Sequence, residues 1–331
     1  MMRAIYCLPA GLFSLALCAS LAAAEEAAAK KTEVRVVDSP SQSPPKSDSP
    51  ESPEAPGKTP AKHTLRYRFK PGESIRWEVV HRAKIETSVS GTTQTAETLS
   101  KSVKLWRVSK VEADGNATFE HLVESVDMRH KLTGRQEVHY NSQTDKKAPL
   151  GFENVAESIG VTLSVVTIDP LGAIVLRERK PAKASVPNEG QITLPLPKEP
   201  VAVGQTWSCP YQIDVPLESG GVKTVKALQQ FTLDRVKTGV ATIRVVTVIL
   251  TPISDPAVEA LLIQRESSGA VRFDIEAGRI LGQQMDLDKQ VVGFRGPASS
   301  LHYVTRFTEE LLAGEAKTAS HPKPAEQETK K

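Results

Sequence analysis

The chain has few cysteines, few aromatic side chains and no long apolar run beyond its first residues. Only 3 of its 331 residues are cysteine, and Cys7 and Cys18 both lie in the N-terminal apolar stretch. If that stretch is removed, Cys209 stays as the single cysteine, so we expect the fold to be stabilised by its core and not by disulfides. After residue 24 no segment is apolar over the ~20 residues that a membrane helix needs, so no later transmembrane span is expected.

An excess of charge of one sign is also absent. The chain carries 42 Lys and Arg against 39 Asp and Glu, a formal net charge of +3. A general nucleic-acid-binding protein concentrates a larger basic excess on one face. We therefore expect no nucleic-acid partner.

Motifs of catalysis are missing as well. The sequence contains no G-x-S-x-G, no H-E-x-x-H and no G-x-G-x-x-G, so serine hydrolysis of that type, zinc proteolysis and dinucleotide binding have no support. His121, His130 and His139 follow one another at intervals of nine residues. On strands this spacing gives no reason for the three rings to converge on one metal ion, so we interpret them as surface histidines. The sequence predicts no catalytic residue, no metal site and no cofactor, and hence a protein that is not an enzyme.

The two ends of the chain are predicted to lie outside the folded body. Residues 1–24 have the pattern of an export signal: Arg3, an apolar run over 4–21 and three alanines before two glutamates; a retained membrane anchor is the alternative. Residues 25–63 are rich in Pro and Ser and low in large apolar side chains, which predicts a disordered linker, and residues 314–331 predict a disordered tail. The protein is therefore expected in the periplasm, at the cell surface or secreted.

The body shows the period-two alternation of half-buried strands. Its clearest stretch is a hairpin over 267–287 that turns at Gly278, and a weaker copy covers 161–176 with Gly172 at the turn. Gly72 and Gly204 start similar strands, and Gly115 resembles Gly239 in its surroundings. These three pairs predict a duplicated unit. The first β unit is predicted over 64–180, a connector over 181–200 and the second β unit over 201–313.

The predicted fold class is mostly β: two similar antiparallel meander units forming curved sheets, with one or two short helices packed on a sheet face. Residues 65–69 are expected to be the first strand. The best helix follows Asp255, a good N-cap, with Pro256 at the first helical position and helix formers to Arg265. A second short helix is expected around residues 152–158.

These features resemble a family of exported, β-rich bacterial proteins of the planctomycete type. The resemblance is carried by the export signal, the linker, the G-[EQ]-[ST] strand starts at Gly72 and Gly204, and the V-R-F-D-I-E-A-G-R-I-L run over 271–281. It covers residues 65–311 and implies no catalytic residue. A curved antiparallel sheet with a helix on its concave side is also distantly similar to periplasmic lipoprotein carriers, a likeness of fold that does not determine function.

One apolar face is the candidate binding surface. Large side chains on few strands either fill a core or line a groove, and periodicity does not separate the two. We interpret the chain as an exported, non-catalytic protein that binds an apolar ligand or an envelope protein segment on its curved sheet. The alternative is a structural or interaction scaffold of the cell envelope with no small-molecule ligand. The face consists of Trp77, Val79, His81, Ile85, Trp207, Phe273, Ile275, Tyr303 and Phe307.

The predicted processing can be tested directly. We expect the mature chain to begin near Glu25, because the three alanines before it fit a cleavage site, and we expect proteases to cut within residues 25–63. Mass spectrometry of the exported protein, with limited proteolysis, checks both. An intact Met1 terminus or a protease-resistant linker would contradict the interpretation.

Overall fold

A computed structural model describes residues 61–179, 192–217 and 220–313 of the protein. The predicted export signal, nearly all of the linker, part of the connector and the C-terminal tail lie outside these residues. The predicted domain boundaries therefore stay predictions. The strands and helices are β1 (Lys62–His63), β2 (Ser74–Val89), β3 (Thr92–Val111), β4 (Ala117–Leu132), β5 (Val138–Asn141), α1 (Glu153–Ser158), β6 (Ser164–Ile168), β7 (Ile174–Arg179), β8 (Val201–Ala202), β9 (Thr206–Pro216), β10 (Val222–Lys237), β11 (Val240–Ile249), α2 (Pro256–Leu262), β12 (Ser268–Asp274), β13 (Arg279–Val292) and β14 (Ser299–Leu311).

The protein is mostly β, as the alternation predicts. One antiparallel sheet of 12 strands has the order β7-β6-β4-β3-β2-β14-β13-β12-β11-β10-β9, and β5 pairs with β4 beside this path. The final strand β14 pairs with β2 along its full length, from Leu311 opposite Trp77 to Ser299 opposite Val89. The two halves of the chain therefore form one continuous, open sheet, and among the described residues β7, β9 and the short β5 are its edge strands.

The two helices lie where the sequence predicts them. Asp255 caps α2, because its side chain accepts a hydrogen bond from the Ala257 nitrogen at 2.9 Å, and a 3-10 turn continues the helix to Arg265. The helix α1 begins at Glu153 and has no side-chain cap. No helix in the described part of the chain is long and apolar enough to cross a membrane.

Residues 65–69 are not the strand that their alternation predicts. The Tyr67 N–H donates to the Pro170 carbonyl at 2.8 Å, and the Arg68 N–H donates to the Gly278 carbonyl at 3.0 Å. Successive N–H groups of an extended chain point to opposite sides, so this segment is held between two separate turns and does not pair with one strand. We call residues 65–69 the wedge segment.

The wedge segment fills the centre of the main core. We define the inner face of the sheet as the face that carries Trp77 and Phe273, which are 2% and 0% exposed. Leu65 and Tyr67 of the wedge pack among inner-face side chains of both halves, including Phe119 of β4 and Phe231 of β10. The two halves therefore share one core around this segment. Full burial of each large apolar side chain in that core contributes ~1.5–3 kcal/mol.

Two of the three predicted glycine pairs have matching geometry. The Gly72 N–H donates to the Val108 carbonyl at 2.9 Å, the Gly204 N–H donates to the Leu233 carbonyl at 2.8 Å, and in both turns the next residue accepts a hydrogen bond back. The turns at Gly172 and Gly278 each begin at an aspartate whose Oδ1 accepts backbone N–H groups, two in the first turn and one in the second. The third pair differs, because the β3–β4 turn is longer than the two-residue β10–β11 turn. The duplication itself stays a prediction.

Cys209 lies half-buried on β9 against the main core. Cys7 and Cys18 lie outside the described residues, so the expectation of a fold stabilised without disulfides stays a prediction.

Gly278 provides a test of the wedge contact. Its φ is +63°, and a Cβ there would lie 2.6 Å from the Arg68 nitrogen and 2.7 Å from the Arg66 oxygen. Gly72 is a matched control, because its φ is +80° and a Cβ there would meet no atom within 4 Å. We expect Gly72→Ala to cost ~1–2 kcal/mol for its positive φ alone. Gly278→Ala should cost ~1–3 kcal/mol more, because the wedge backbone must shift.

Chemical denaturation of both glycine variants measures this difference. Equal loss of unfolding free energy in the two proteins would contradict the close approach of the wedge segment.

Candidate ligand-binding face

The nine residues of the predicted apolar face do not form one open surface. Trp77, Phe273 and Phe307 belong to the main core, and Val79, Trp207 and Ile275 pack against it. Ile85 and Tyr303 lie in a second cluster, beneath α2. His81 is half-buried and belongs to neither cluster.

The helix α2 closes part of this face. Val258 and Leu262 pack on β9 and β10, and Ile263 of the following 3-10 turn packs on Val291 and Tyr303. These three side chains of the helical segment are 1–3% exposed. The sheet beneath α2 is therefore core and not a cavity.

A trough of small side chains runs along the inner face of β3. Thr98, Ser100 and Ser102 follow one another at every second position, so they share this face. Thr98 and Ser100 are half-buried and Ser102 is 8% exposed. We call these three residues the β3 trough.

Larger side chains flank the β3 trough on both neighbouring strands. On β2, Val79 lies opposite Ser102 and His81 lies opposite Ser100. On β4, Val126 lies opposite Ser102 and Met128 lies opposite Ser100. The helix α1 packs on the β4 side of the trough, and the α2 cluster reaches Ala83 on the β2 side. The trough thus lies between the two helical clusters.

His81 has the hydrogen-bond partner that its position on an apolar face requires. Its Nε2 lies 2.8 Å from the Thr305 Oγ1, and the Thr305 hydroxyl donates to the Arg82 carbonyl at 3.0 Å. Burial lowers the pKa of His81. A neutral imidazole is therefore favoured at the edge of the β3 trough.

A buried charged group closes one end of the β3 trough. Lys104 is the next inner residue of β3 after Ser102, and its ammonium forms an ion pair with Glu309. The same carboxylate accepts a hydrogen bond from the Gln283 Nε2 at 2.7 Å. The Lys104 Nζ also lies 4.6 Å from the Trp77 ring centroid, within range of a cation–π contact.

The interpretation of three surface histidines is wrong for His121. His139 is exposed and lies 2.7 Å from Asp127, and His130 is half-buried against the Phe152 ring. His121 is only 7% exposed, because it alternates in phase with the inner-face residues Phe119 and Val123 on β4. Burial, with the nearby positive charges of Lys104 and Arg177, lowers the pKa of His121 from 6.5 to about 3.

The opposite, outer face carries a groove of a different character. It has a volume of about 910 Å³ and is lined by charged residues of both signs, among them Arg82, Lys84, Glu97, Asp286 and Arg306. The Arg306 Nε donates to the Asp286 Oδ1 at 2.6 Å. The groove also contains the apolar side chains Leu99, Leu287 and Val304, but none of the nine residues of the predicted apolar face lines it. In the described part of the chain, no group of three or more His, Cys, Asp or Glu is placed to hold a metal ion.

Sequence reasoning missed Lys104 and Glu309, since charged residues on strands usually face solvent. A period-two signal for them was present. Lys104 is in phase with the buried Trp106, and Glu309 is in phase with Phe307. All the candidate residues of the predicted face except His81 are thus placed in or against a core cluster, while the half-exposed inner surface consists mainly of small side chains that carried no signal.

Comparison with known proteins adds little. No family model matches the chain, and no curated protein matches it. Lipovitellin, in a structure concerned with its lipid–protein interactions, matches with 14% identity and a TM-score of 0.40 over 77% of this chain, which spans only 27% of the lipovitellin chain. DynF, from the dynemicin biosynthesis pathway of Micromonospora chersina, matches with 9% identity and a TM-score of 0.17 over 75% of this chain and 88% of its own. Similarity this low carries no argument about function, and the family resemblance stays a prediction.

The buried His121 generates a pH prediction. Its pKa is about 3 in the folded protein and near 6.5 when exposed, so between these values the unfolded chain binds a proton that the folded chain excludes. The free energy of unfolding should therefore fall as the pH decreases from 6.5 towards 3, with a slope of up to about 1.4 kcal/mol per pH unit from this group. His81 and His130, whose pKa values burial also lowers, act in the same direction.

The variant that tests this is His121→Gln. Denaturant unfolding at a series of pH values should show a shallower acid slope for His121→Gln than for the wild type. Parallel curves for the wild type and His121→Gln would contradict the burial of His121 as a neutral group.

Proposed function

We propose that this chain is an exported, non-catalytic binding protein that holds the alkyl chain of an amphipathic small molecule on the inner face of its sheet. The observation that supports this most directly is the β3 trough, a row of small side chains between the larger side chains of β2 and β4. Neighbouring strands are ~4.8 Å apart, so a trough one strand wide matches the width of a single alkyl chain.

The length of the trough also supports this occupant. Inner-face residues of a strand are spaced by ~6.8 Å, so Thr98 to Ser102 covers ~13 Å and Lys104 lies ~20 Å from Thr98. An extended chain of about ten carbons fits the same distance by its bond geometry. Val79 supplies a half-buried apolar wall on the β2 side, while Val126 and Met128 on the β4 side are already 5% and 3% exposed. Transfer of each ligand methylene from water contributes ~0.8 kcal/mol.

The absence of catalytic motifs and the N-terminal signal pattern support the exported and non-catalytic parts of the proposal. Binding of an alkyl chain in the trough requires neither a reaction nor a cofactor.

A scaffold without a ligand is the second candidate, and one observation favours it. Trp77, Phe273 and Phe307 are 0–6% exposed in a closed core, so most of the large apolar side chains are already buried by the protein itself. In a scaffold the β3 trough would be a shallow surface of small residues with no occupant.

Filling the trough separates the two candidates. Ser100→Trp places a large side chain in the trough, and Lys101→Trp places the same side chain on the exposed outer face of the same strand. We expect decanol to bind the wild type and Lys101→Trp with the same affinity. Its affinity for Ser100→Trp should be at least about tenfold lower, because a tryptophan that keeps only two ligand methylenes out of the trough already removes that much binding free energy.

Isothermal titration calorimetry measures the binding, and the melting temperature of each variant shows whether it is folded. Ser100→Leu is the milder variant if Ser100→Trp does not fold. A wild type that binds no decanol, or a folded Ser100→Trp that binds as the wild type does, would leave the scaffold candidate in place.

A further inference from the structure

Three polar side chains form a row at the closed end of the β3 trough. Trp106 of β3 lies opposite His121 of β4, and His121 lies opposite Ser164 of β6. Residues paired in this way share a face of the sheet, and Trp106 follows Lys104 on the inner face of β3. These three residues, which we call the polar row, therefore lie beyond the Lys104–Glu309 pair along β3, with Trp106 about 14 Å from Ser102.

The polar row is buried and has unused hydrogen-bonding capacity. Trp106, His121 and Ser164 are 2%, 7% and 0% exposed. The Trp106 Nε1, the His121 Nδ1 and the Ser164 Oγ have no hydrogen-bond partner among the described residues. A buried polar group without a partner costs ~1–3 kcal/mol, and native proteins pair nearly all such groups. Three in adjacent positions indicate a site for a hydrogen-bonding partner.

The chemistry of these groups selects an acceptor. An indole N–H only donates, a hydroxyl donates readily, and a neutral imidazole donates from one of its two nitrogens. Oxygen atoms with free lone pairs satisfy all three groups at once. A ligand with donor groups only, such as an ammonium, would leave the Trp106 N–H unsatisfied.

The charge around the polar row favours an anion over a neutral acceptor. The Lys104 Nζ lies 5.1 Å from the Trp106 ring centroid, and the positive charges of Lys104 and Arg177 both act at His121. In a buried site such charges interact more strongly than in water. Hydrogen bonds to an ionised acceptor are also about twice as strong as neutral ones.

We propose that the polar row binds the carboxylate of a linear alkyl carboxylate whose chain runs past Lys104 to the Ser102 end of the β3 trough. This inference rests on the proposed function and names the class of its ligand. Trp106 and Ser164 donate to the carboxylate oxygens, and Lys104 supplies the nearest positive charge while it stays paired with Glu309. The small size of a carboxylate suits a row whose three members are almost fully buried.

The test compares ligands that differ only in the head group. Decanoate and decanol have equal chains, and we expect decanoate to bind about tenfold more tightly at neutral pH, since charge-assisted hydrogen bonds of this kind replace neutral ones. The indole N–H resonance of Trp106, identified by its loss in Trp106→Phe, should move downfield with decanoate and stay in place with decanol. Ser164→Ala should weaken decanoate several-fold and leave decanol unchanged, and Ser109→Ala, at an exposed serine of β3, should alter neither.

The outcomes distinguish this inference from the proposed function. Equal affinity for the two ligands with an unmoved Trp106 resonance overturns the carboxylate site and leaves the alkyl trough standing. If neither decyl ligand binds, the Trp106 resonance is measured with acetate, a carboxylate that has no alkyl chain. A Trp106 shift with acetate supports the polar row although the trough has failed, and no shift with acetate or decanoate overturns it.

Discussion

The contact of the wedge segment with two glycine turns is the constraint on which the rest of the structure depends. Residues 65–69 donate backbone hydrogen bonds to the β6–β7 turn on one side and to the β12–β13 turn on the other. The Tyr67 ring packs edge-on against Phe273 at 5.4 Å, and its hydroxyl accepts the Leu194 N–H at 2.8 Å. Side chains at Gly172 or Gly278 would collide with this segment. The wedge thus joins the two halves of the sheet through backbone contacts as well as through the shared core.

This arrangement divides the inner face into regions with different physical roles. Around the wedge the face is a closed apolar core, and α2 covers the face over β9, β10, β13 and β14. Between α1 and α2 the small side chains of β3 leave the β3 trough. Lys104 and Glu309 lie between this trough and the core, and Trp106 of the polar row belongs to the core itself. Buried charges and unpaired polar groups are costly to fold, so their position at the end of the β3 trough is an arrangement that a ligand can stabilise.

Several elements were predictable from local sequence because short-range rules govern them. The hairpin at Gly278 follows from period-two alternation and a glycine with positive φ, and α2 follows from the Asp255 cap and Pro256. The same alternation predicted a strand over the wedge segment, which was wrong because its N–H groups bond to two different turns. The phase of His121 with Phe119 indicated burial on β4, yet spacing to the other histidines suggested a surface position.

The sequence by itself determined that the protein is a mostly β chain with two short helices, since alternation, turn glycines and caps act within a few residues. Only the tertiary structure decided that β14 joins the halves, that the large apolar face is core, and that three small residues of β3 form the trough. These depend on register between strands distant in the chain: a shift of one residue exchanges the faces. The polar row has the same origin, because Trp106, His121 and Ser164 become neighbours only when β3, β4 and β6 pair in this register.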